Sequence, residues 1–467
     1  MVFASISFLF YFLPICILIY FLSPNKLKNA VLLAFSLLFY YFGEQLYVII
    51  LLISTILDYT CSLCIERFSG TKKADIFLII SIVGNLGMLG FFKYYDFFVS
   101  NINSFIGISI PLLKVALPIG ISFYTFQTMS YTIDVYRGEV PAQKNFLTLF
   151  TYVSLFPQLI AGPIVRYQTV EQELENRTHS FDLFGQGVSR FIVGLAKKVV
   201  LANQLGLLVE EFRKIPEKTV VFYWLYAIAF TLQIYFDFSG YSDMAIGLGK
   251  IFGFNFLENF NYPFISKSVS EFWRRWHMSL GTWFRDYLYI PLGGNRVGYK
   301  KWLRNTLIVW LLTGLWHGAD WPFVFWGLFV FVFILIERTF LLKVFEKLPS
   351  VVSRIYFLIV IITSMVIFNG NGISGSLGDV AAMFGFGGLK FVNSDTIYYL
   401  TSNVVLIIIA VIASTPLMKT VIEKLKTKAY GIRFTDIAEP VSCFVLLILS
   451  VAYLVDGSFN PFLYFRF

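Results

Sequence analysis

Three histidines occur in this chain of 467 residues, and two of them stand where an imidazole could transfer a proton in apolar surroundings. His277 lies within the string Trp273–Leu280, and His317 closes an apolar stretch just before Gly318. An ionisable residue at membrane depth is a functional candidate by default, and imidazole titrates nearest to neutral pH. For both, the alternative is a histidine that is only hydrogen-bonded between helices. His179 stands in a polar stretch and is predicted to be a solvated loop residue.

Two aspartates interrupt another apolar region and are candidates for a proton relay or a cation site. Asp237 and Asp243 both lie in the string 235–244. Capping or hydrogen bonding between helices explains them equally well, since the run Asp-Phe-Ser-Gly that starts at Asp237 predicts a helix break. The sequence has no His-Glu-x-x-His, Walker or Gly-x-Ser-x-Gly motif, which argues against a metalloprotease, an ATP-driven pump and a conventional serine hydrolase. No metal site is predicted.

Arginines cluster beside tryptophans in the segment 264–304, which is too polar to face lipid and is predicted to re-enter or to line a cytoplasmic funnel. Guanidinium groups match phosphate geometry and an indole can stack on a flat ring, so the cluster is a candidate seat for a donor such as an acyl-coenzyme A. Its members are Arg274, Arg275, Trp276 and Arg285. The alternative is topological, because basic loops and interfacial tryptophans are common in membrane proteins. Asp286 is a further residue that could support the site.

The composition indicates that a membrane holds these residues. Hydrophobic residues make up 57% of the chain and charged residues 14%, whereas a soluble domain carries about 25% charged residues. The apolar runs are continuous, unlike the alternating strands of a β-barrel. The predicted fold class is an all-α polytopic membrane protein with about 11–14 transmembrane or re-entrant helices. The candidate spans are 3–22, 29–44, 46–65, 76–93, 116–135, 146–162, 219–236, 239–256, 305–319, 321–337, 355–370, 396–415 and 436–456.

Basic loops predict the orientation. The loops at 26–28 and 67–73 are assigned to the cytoplasm, which puts the N-terminus outside. Basic loops at 338–354 and 419–433 then put the C-terminus outside as well, and this requires an even number of crossings. The amphipathic stretch 184–208, with two lysines in its middle, could lie in the interface, re-enter, or cross within the protein interior. The same rule accounts for the net charge of +9, so no nucleic-acid partner is predicted.

Several strings, taken together and in order, resemble the membrane-bound O-acyltransferase family, and within it a bacterial branch similar to alginate O-acetylases. The most specific are Glu271–His277, Thr282–Tyr289 and Gly314–Gly318. Others lie earlier, so that the resemblance covers most of the chain: Leu117–Tyr124, Ile133–Gly138, Pro157–Pro163 and Asp237–Met244.

The resemblance implies one membrane domain, 1–467, with a central tunnel between a cytoplasmic donor site and the outer face. The family's invariant histidine matches His317, which would be the general base for the acceptor hydroxyl. The second motif histidine matches His277, which would orient or polarise the donor thioester. Both roles need a pocket dry enough to protect a thioester from hydrolysis. No bound cofactor is implied, and acetyl-coenzyme A would be the acyl donor.

A tail motif, 457–467, is similar to an ending found in this branch and in a small partner peptide of the teichoic-acid D-alanylation machinery. It includes the string Phe462–Phe467. There a tyrosine hydroxyl accepts the acyl group before it passes outward, a role that the resemblance gives to Tyr464. The predicted outside position of the tail agrees with this role. The alternative is an interfacial belt of aromatic side chains.

The function implied is O-acetylation of an exported cell-surface polysaccharide by an enzyme of the bacterial cell membrane. An extracytoplasmic partner similar to serine hydrolases would place the acetyl group on sugar hydroxyls. One rival is D-alanylation of teichoic acid from a carrier protein, a system that supplies the tail motif on a separate peptide. The other is a small-solute transporter, for which the two histidine strings have no use.

Overall fold

The computed structural model describes residues 2–160, 162–457 and 463, without the side chains of residues 429 and 430. Within that part of the chain every regular element is a helix, and seven apolar stretches are long enough to cross a bilayer. The predicted all-α polytopic fold class is therefore confirmed. The seven stretches are Asn25–Arg67, Lys72–Ile106, Phe181–Lys214, Val220–Ile251, Ser350–Phe368, Ser394–Ala413 and Gly431–Asp456.

The first of two compact units contains the residues up to Phe191 together with Ser242–Leu257. Buried polar side chains join its helices, since Asp58 accepts hydrogen bonds from Ser81 Oγ at 2.5 Å and from the Asn85 amide at 2.8 Å. Such bonds join helices where lipid removes the hydrophobic driving force. Its helices are Phe8–Leu22, Lys28–Glu44, Val48–Arg67, Lys72–Leu89, Tyr95–Ile106, Ile121–Arg137, Phe146–Ser154, Phe156–Leu159 and Tyr167–Glu175.

Two predicted spans of this unit differ from the structure. The span predicted at 116–135 becomes helical only at Ile121, because the chain before it is irregular and Gly120 has a φ of +80°. The span predicted at 146–162 is interrupted at Leu155, whose ψ of 110° ends one short helix. Pro157 then lies in the first turn of the next helix, where its missing N–H costs no hydrogen bond.

The second unit contains Ile192–Tyr241 and the residues from Glu258 onwards. One hydrophobic core, which includes Trp326 and Phe368, joins its helices. Two of these helices are named here for the residues that they carry: the His317 helix, Tyr299–His317, and the Trp326 helix, Trp321–Ile336. The others are Val269–Arg275, Met278–Phe284, Ser350–Phe368, Gly372–Met383, Ser394–Ala413, Leu417–Lys426 and Ala429–Asp456. The prediction of a single domain stays a prediction.

Two long helices contribute residues to both units. The lysine helix is Phe181–Lys214, and its apolar part is 67% buried, which favours an interior crossing among the three alternatives for this stretch. The aspartate helix is Val220–Ile251, a continuous helix of 32 residues. The helix break predicted at Asp237 is wrong, since the helix continues through Gly240, where the absence of a side chain allows close approach to the lysine helix. A Cβ at Gly240 would lie 2.7 Å from the Gly194 carbonyl oxygen of the lysine helix.

Candidate active site

His317 is buried at the corner of a tight helical hairpin, as the last residue of the His317 helix. The hairpin can close because two glycines leave no side chain between its helices. A Cβ on Gly314 would lie 2.3 Å from the Phe323 carbonyl oxygen, and one on Gly318 would lie 2.2 Å from the Phe323 ring. Asp320 then caps the Trp326 helix by accepting a hydrogen bond from its first amide at 2.7 Å. The motif that carries His317 thus encodes the turn that positions it.

Aromatic rings surround His317 and connect it with His277. The rings of Trp316, Trp326 and Phe368 have their centroids 5.1, 5.2 and 5.3 Å from that of His317, each nearly perpendicular to it. The Trp316 ring also lies 5.7 Å from the ring of His277. The structure therefore brings the two predicted histidines to the same indole, in apolar surroundings of the kind that a thioester needs.

The backbone of His277 adopts a left-handed conformation between two short helices, with φ +44° and ψ +53°. This region costs a residue other than glycine about 1–2 kcal/mol, and strain of this kind persists where the surrounding structure enforces it. Here the next amide, that of Met278, donates to the Asn259 carbonyl oxygen at 2.9 Å.

The side chain of Asn259 selects the tautomer of His277. Its Oδ1 lies 3.2 Å from His277 Nδ1, and it also accepts hydrogen bonds from Ser279 Oγ at 2.9 Å and from the Ser279 amide at 3.2 Å. An atom that accepts from an amide is the carbonyl oxygen, so Nδ1 carries the imidazole proton and Nε2 carries the lone pair. Burial lowers the pKa of His277 to about 3, which keeps the ring neutral at physiological pH. With its lone pair on Nε2, the ring is better suited to accept a proton than to polarise the thioester, which is one of the two roles predicted for it.

Asp237 is the counter-ion of a buried lysine. Its Oδ1 lies 2.5 Å from Nζ of Lys198, and both side chains are less than 10% exposed. The Leu463 amide donates to Asp237 Oδ2 at 2.8 Å, which ties the described part of the tail motif to the aspartate helix. In the first unit, Asp243 Oδ1 accepts a hydrogen bond from Arg190 Nε at 2.7 Å. Of the two predicted roles, contact between helices is thus the one that the geometry supports.

Breaking the Lys198–Asp237 pair is expected to destabilise the protein strongly. Lys198→Met should lower the free energy of unfolding by about 3–5 kcal/mol, because it leaves a buried carboxylate without its counter-charge. The double variant Lys198→Met/Asp237→Leu should recover most of this loss, since an apolar pair often replaces a buried ion pair at little cost. Denaturation in detergent micelles of the wild type, both single variants and the double variant measures the coupling.

A matched control for that cycle is Lys390→Met, since Lys390 faces Glu217 at 3.7 Å with both side chains more than 70% exposed. We expect no measurable change there, because solvent screens such a pair. A Lys198→Met protein as stable as the wild type would contradict the assignment.

The arginines of the predicted donor seat lie nearer to solvent than the histidines. Arg274 is exposed, Arg275 donates to Glu271 Oε1 at 3.0 Å, and Arg285 donates to both carboxylate oxygens of Asp286, at 2.6 and 3.0 Å. A phosphate-bearing donor would therefore compete with two carboxylates for these guanidinium groups. The donor-binding roles of the arginines and the supporting role of Asp286 stay predictions.

Trp276 is buried, in contrast to these arginines. Its ring packs almost parallel to that of Phe272, with centroids 5.3 Å apart. Its predicted stacking on a donor ring stays a prediction, and in the structure the indole is part of the hydrophobic core of the second unit.

Glu337 fixes the start of the helix that leads to His277, although nothing in the sequence distinguishes it. The buried carboxylate accepts hydrogen bonds from the Val269 amide at 2.6 Å, the Ser270 amide at 3.0 Å and Ser270 Oγ at 2.8 Å. These are amides that a helix N-terminus leaves without partners. Glu337 follows directly on the Trp326 helix, so this bond ties the segment before His277 to the hairpin of His317.

The structure tests the prediction for His179 but not the one for Tyr464. His179 lies in a loop, as predicted, but the prediction that it is solvated is wrong, because this side chain is half-buried and a ring nitrogen lies 3.0 Å from the Tyr20 hydroxyl. Tyr464 lies outside the described residues, and so does the rest of the string 462–467 apart from Leu463.

Comparison with known proteins gives matches over the whole chain. Residues 137–377, which include both site histidines, match the model of the membrane-bound O-acyltransferase family. The chain is 38% identical to a probable alginate O-acetylase of Azotobacter vinelandii, with both chains covered completely. It is 30% identical to a peptidoglycan O-acetyltransferase of Helicobacter pylori, over 98% of this chain and 96% of the relative. A teichoic acid D-alanyltransferase of Bacillus subtilis is 30% identical over 45% of this chain and 56% of its own.

Proposed function

The chain belongs to the membrane-bound O-acyltransferase family, as a multi-pass membrane enzyme, and we propose that it transfers an acetyl group from cytosolic acetyl-coenzyme A to an exported cell-surface polysaccharide. The carrying observation is the position of His317, buried at a glycine-built hairpin corner and one indole away from the neutral imidazole of His277. That arrangement supports proton removal from a hydroxyl in surroundings that exclude water.

The names of the relatives support a glycan acceptor. The Azotobacter vinelandii relative is named for alginate and the Helicobacter pylori relative for peptidoglycan, and both match this chain over nearly its full length. The D-alanyltransferase matches less than half of the chain, which makes D-alanyl transfer the more distant alternative. O-acetylation is what the names of the two full-length relatives have in common.

In the proposed reaction His317 accepts the proton of the attacking hydroxyl while that oxygen bonds to the thioester carbonyl carbon. The carbon–sulfur bond then breaks, and the leaving thiolate takes up the proton from His317 as coenzyme A. His277, held by Asn259, orients the reactants from the donor side. Arg274, Arg275 and Arg285 hold the donor's phosphates at the cytoplasmic face.

The tail motif supplies the proposed first acceptor, the hydroxyl of Tyr464. Its neighbour Leu463 supports this, because the Leu463 amide binds Asp237 and its side chain is buried in the core that also contains Trp326 and Phe368. In the proposal both termini lie outside the bacterial cell membrane. A partner similar to serine hydrolases then moves the acetyl group from the tyrosine to a sugar.

The test is thioester cleavage by the purified protein in detergent with ¹³C-labelled acetyl-coenzyme A. Coenzyme A release and the mass of the C-terminal peptide are measured on the same samples, with a D-alanyl carrier protein assayed in parallel. Cleavage of acetyl-coenzyme A with label on the peptide that contains Tyr464 is the expected result. Turnover of the D-alanyl carrier alone would favour the D-alanyl alternative. No turnover of either donor would contradict the proposal and favour transport.

A further inference from the structure

The indole N–H of Trp326 is buried beside His317 without an acceptor. Trp326 is 1% exposed, and within the described part of the chain no acceptor lies at hydrogen-bonding distance from its Nε1. Buried indole N–H groups ordinarily have a partner, and an unsatisfied one lowers stability. Trp273, whose ring centroid lies 5.3 Å from that of Trp326, has a second indole N–H of this kind.

Of these two indoles, Trp326 is the one in direct contact with the candidate base. Its ring lies 5.2 Å from that of His317 and stands at 86° to it. Both residues are fixed by the same hairpin, since Trp326 lies on the helix that follows the glycine-built corner. The position of the N–H relative to His317 is therefore set by backbone packing and not by a flexible loop.

The proposed reaction needs a hydrogen-bond donor that the two histidines do not supply. Attack on a thioester turns its carbonyl oxygen into an oxyanion, and enzymes stabilise that charge with N–H groups oriented in advance. The proton on Nδ1 of His277 faces Asn259, and His317 is the group that accepts the hydroxyl proton. Neither imidazole can then donate to the carbonyl oxygen at the moment of attack.

We propose that Trp326 Nε1–H donates a hydrogen bond to the thioester carbonyl oxygen and stabilises the oxyanion formed during acyl transfer, an inference that rests on the proposed function. The acceptor oxygen bonds to the carbonyl carbon, and its proton passes to His317. The π electron pair of the carbonyl moves to the oxygen that Trp326 binds. That pair re-forms the carbonyl as the carbon–sulfur bond breaks, and the thiolate takes the proton from His317.

The kinetic test removes only the indole N–H of Trp326, which is the proposed hydrogen-bond donor. Trp326→Phe keeps an aromatic ring but removes the N–H, and its kcat should fall by about 10²–10³-fold, the usual effect of losing one oxyanion donor. Its KM for acetyl-coenzyme A should stay close to that of the wild type, because the bond forms chiefly in the transition state.

The matched control is Trp310→Phe, the same substitution in a half-buried residue of the same cluster, 6.2 Å from Trp326. This variant should keep the wild-type kcat. An equal fall in both variants, or an unchanged kcat in Trp326→Phe, would overturn the proposal, because packing alone would then explain Trp326.

A second measurement needs no turnover and separates this inference from the proposed function. Isotope-edited infrared spectra of ¹³C-acetyl-coenzyme A bound to His317→Ala should show the carbonyl band at lower frequency than in water. The shift should be lost in His317→Ala/Trp326→Phe and kept in His317→Ala/Trp310→Phe.

Each outcome of the infrared measurement has a defined meaning. A bound donor with an unshifted band in His317→Ala overturns the role of Trp326 alone, and this reading stands even when Trp326→Phe fails to fold. Absence of donor binding to the folded protein overturns the acetyl-coenzyme A proposal, and the role of Trp326 with it.

Discussion

His317→Ala is expected to lower the rate of acetyl transfer by about 10²–10⁴-fold, the range that a positioned general base contributes. Donor binding should be retained, because the imidazole acts on the acceptor hydroxyl and not on coenzyme A. The side chain packs against the rings of Trp316, Trp326 and Phe368, so the substitution leaves a small space lined by these three rings. Coenzyme A release under saturating donor measures the rate, and calorimetric titration with a non-hydrolysable donor analogue measures binding.

His179→Ala is the matched control for that experiment. It is the same substitution in the first unit, where the imidazole bonds to Tyr20. Its rate should equal that of the wild type. An undiminished rate in His317→Ala, or losses of the same size in both variants, would contradict the role given to His317.

Tyr464→Phe is expected to abolish acetyl transfer to the outer acceptor. The substitution removes a single oxygen, so folding and donor binding should be unchanged, while the proposed ester on the tail can no longer form. Mass spectrometry of the C-terminal peptide and label on an added polysaccharide acceptor, assayed with the outer partner, measure the two stages separately. Deletion of residues 462–467 should give the same loss of export.

The control for the tail is Tyr453→Phe, which changes a partly exposed tyrosine of the last long helix in the same way. It should leave both stages at the wild-type level. Full export by Tyr464→Phe would transfer the acceptor role from the tail to the partner protein, and the cytosolic half of the proposal would then be judged by coenzyme A release alone.

The fold class and the site histidines could be predicted because their signals are local. Continuous apolar runs indicate spanning helices whatever their neighbours are, and the strings around His277 and His317 carry their own turn residues. The glycines at 314 and 318 illustrate this, since the motif that identifies His317 also permits its hairpin.

What the sequence did not reveal depends on contacts between distant segments. The run at Asp237 predicts a helix break, yet the helix is continuous there and Asp237 pairs with Lys198, on another helix. Asn259 and Glu337 look like ordinary polar residues until the structure places them against His277 and the Val269 amide. Whether an indole such as that of Trp326 has an acceptor is likewise a property of the packed core. The sequence signals of this buried charge pair are Asp237 within its apolar run and the two lysines within 184–208.

The left-handed backbone at His277 has a consequence for how this protein can be engineered. Glycine adopts φ values near +44° without steric penalty, so the position that the site requires for an imidazole is one where the backbone prefers glycine. A search for heat-resistant variants that scores only folding would accept substitutions at position 277 and lose the site. A strained residue that is not glycine, such as His277, therefore indicates a functional position. Variant libraries of this protein should keep His277 unchanged.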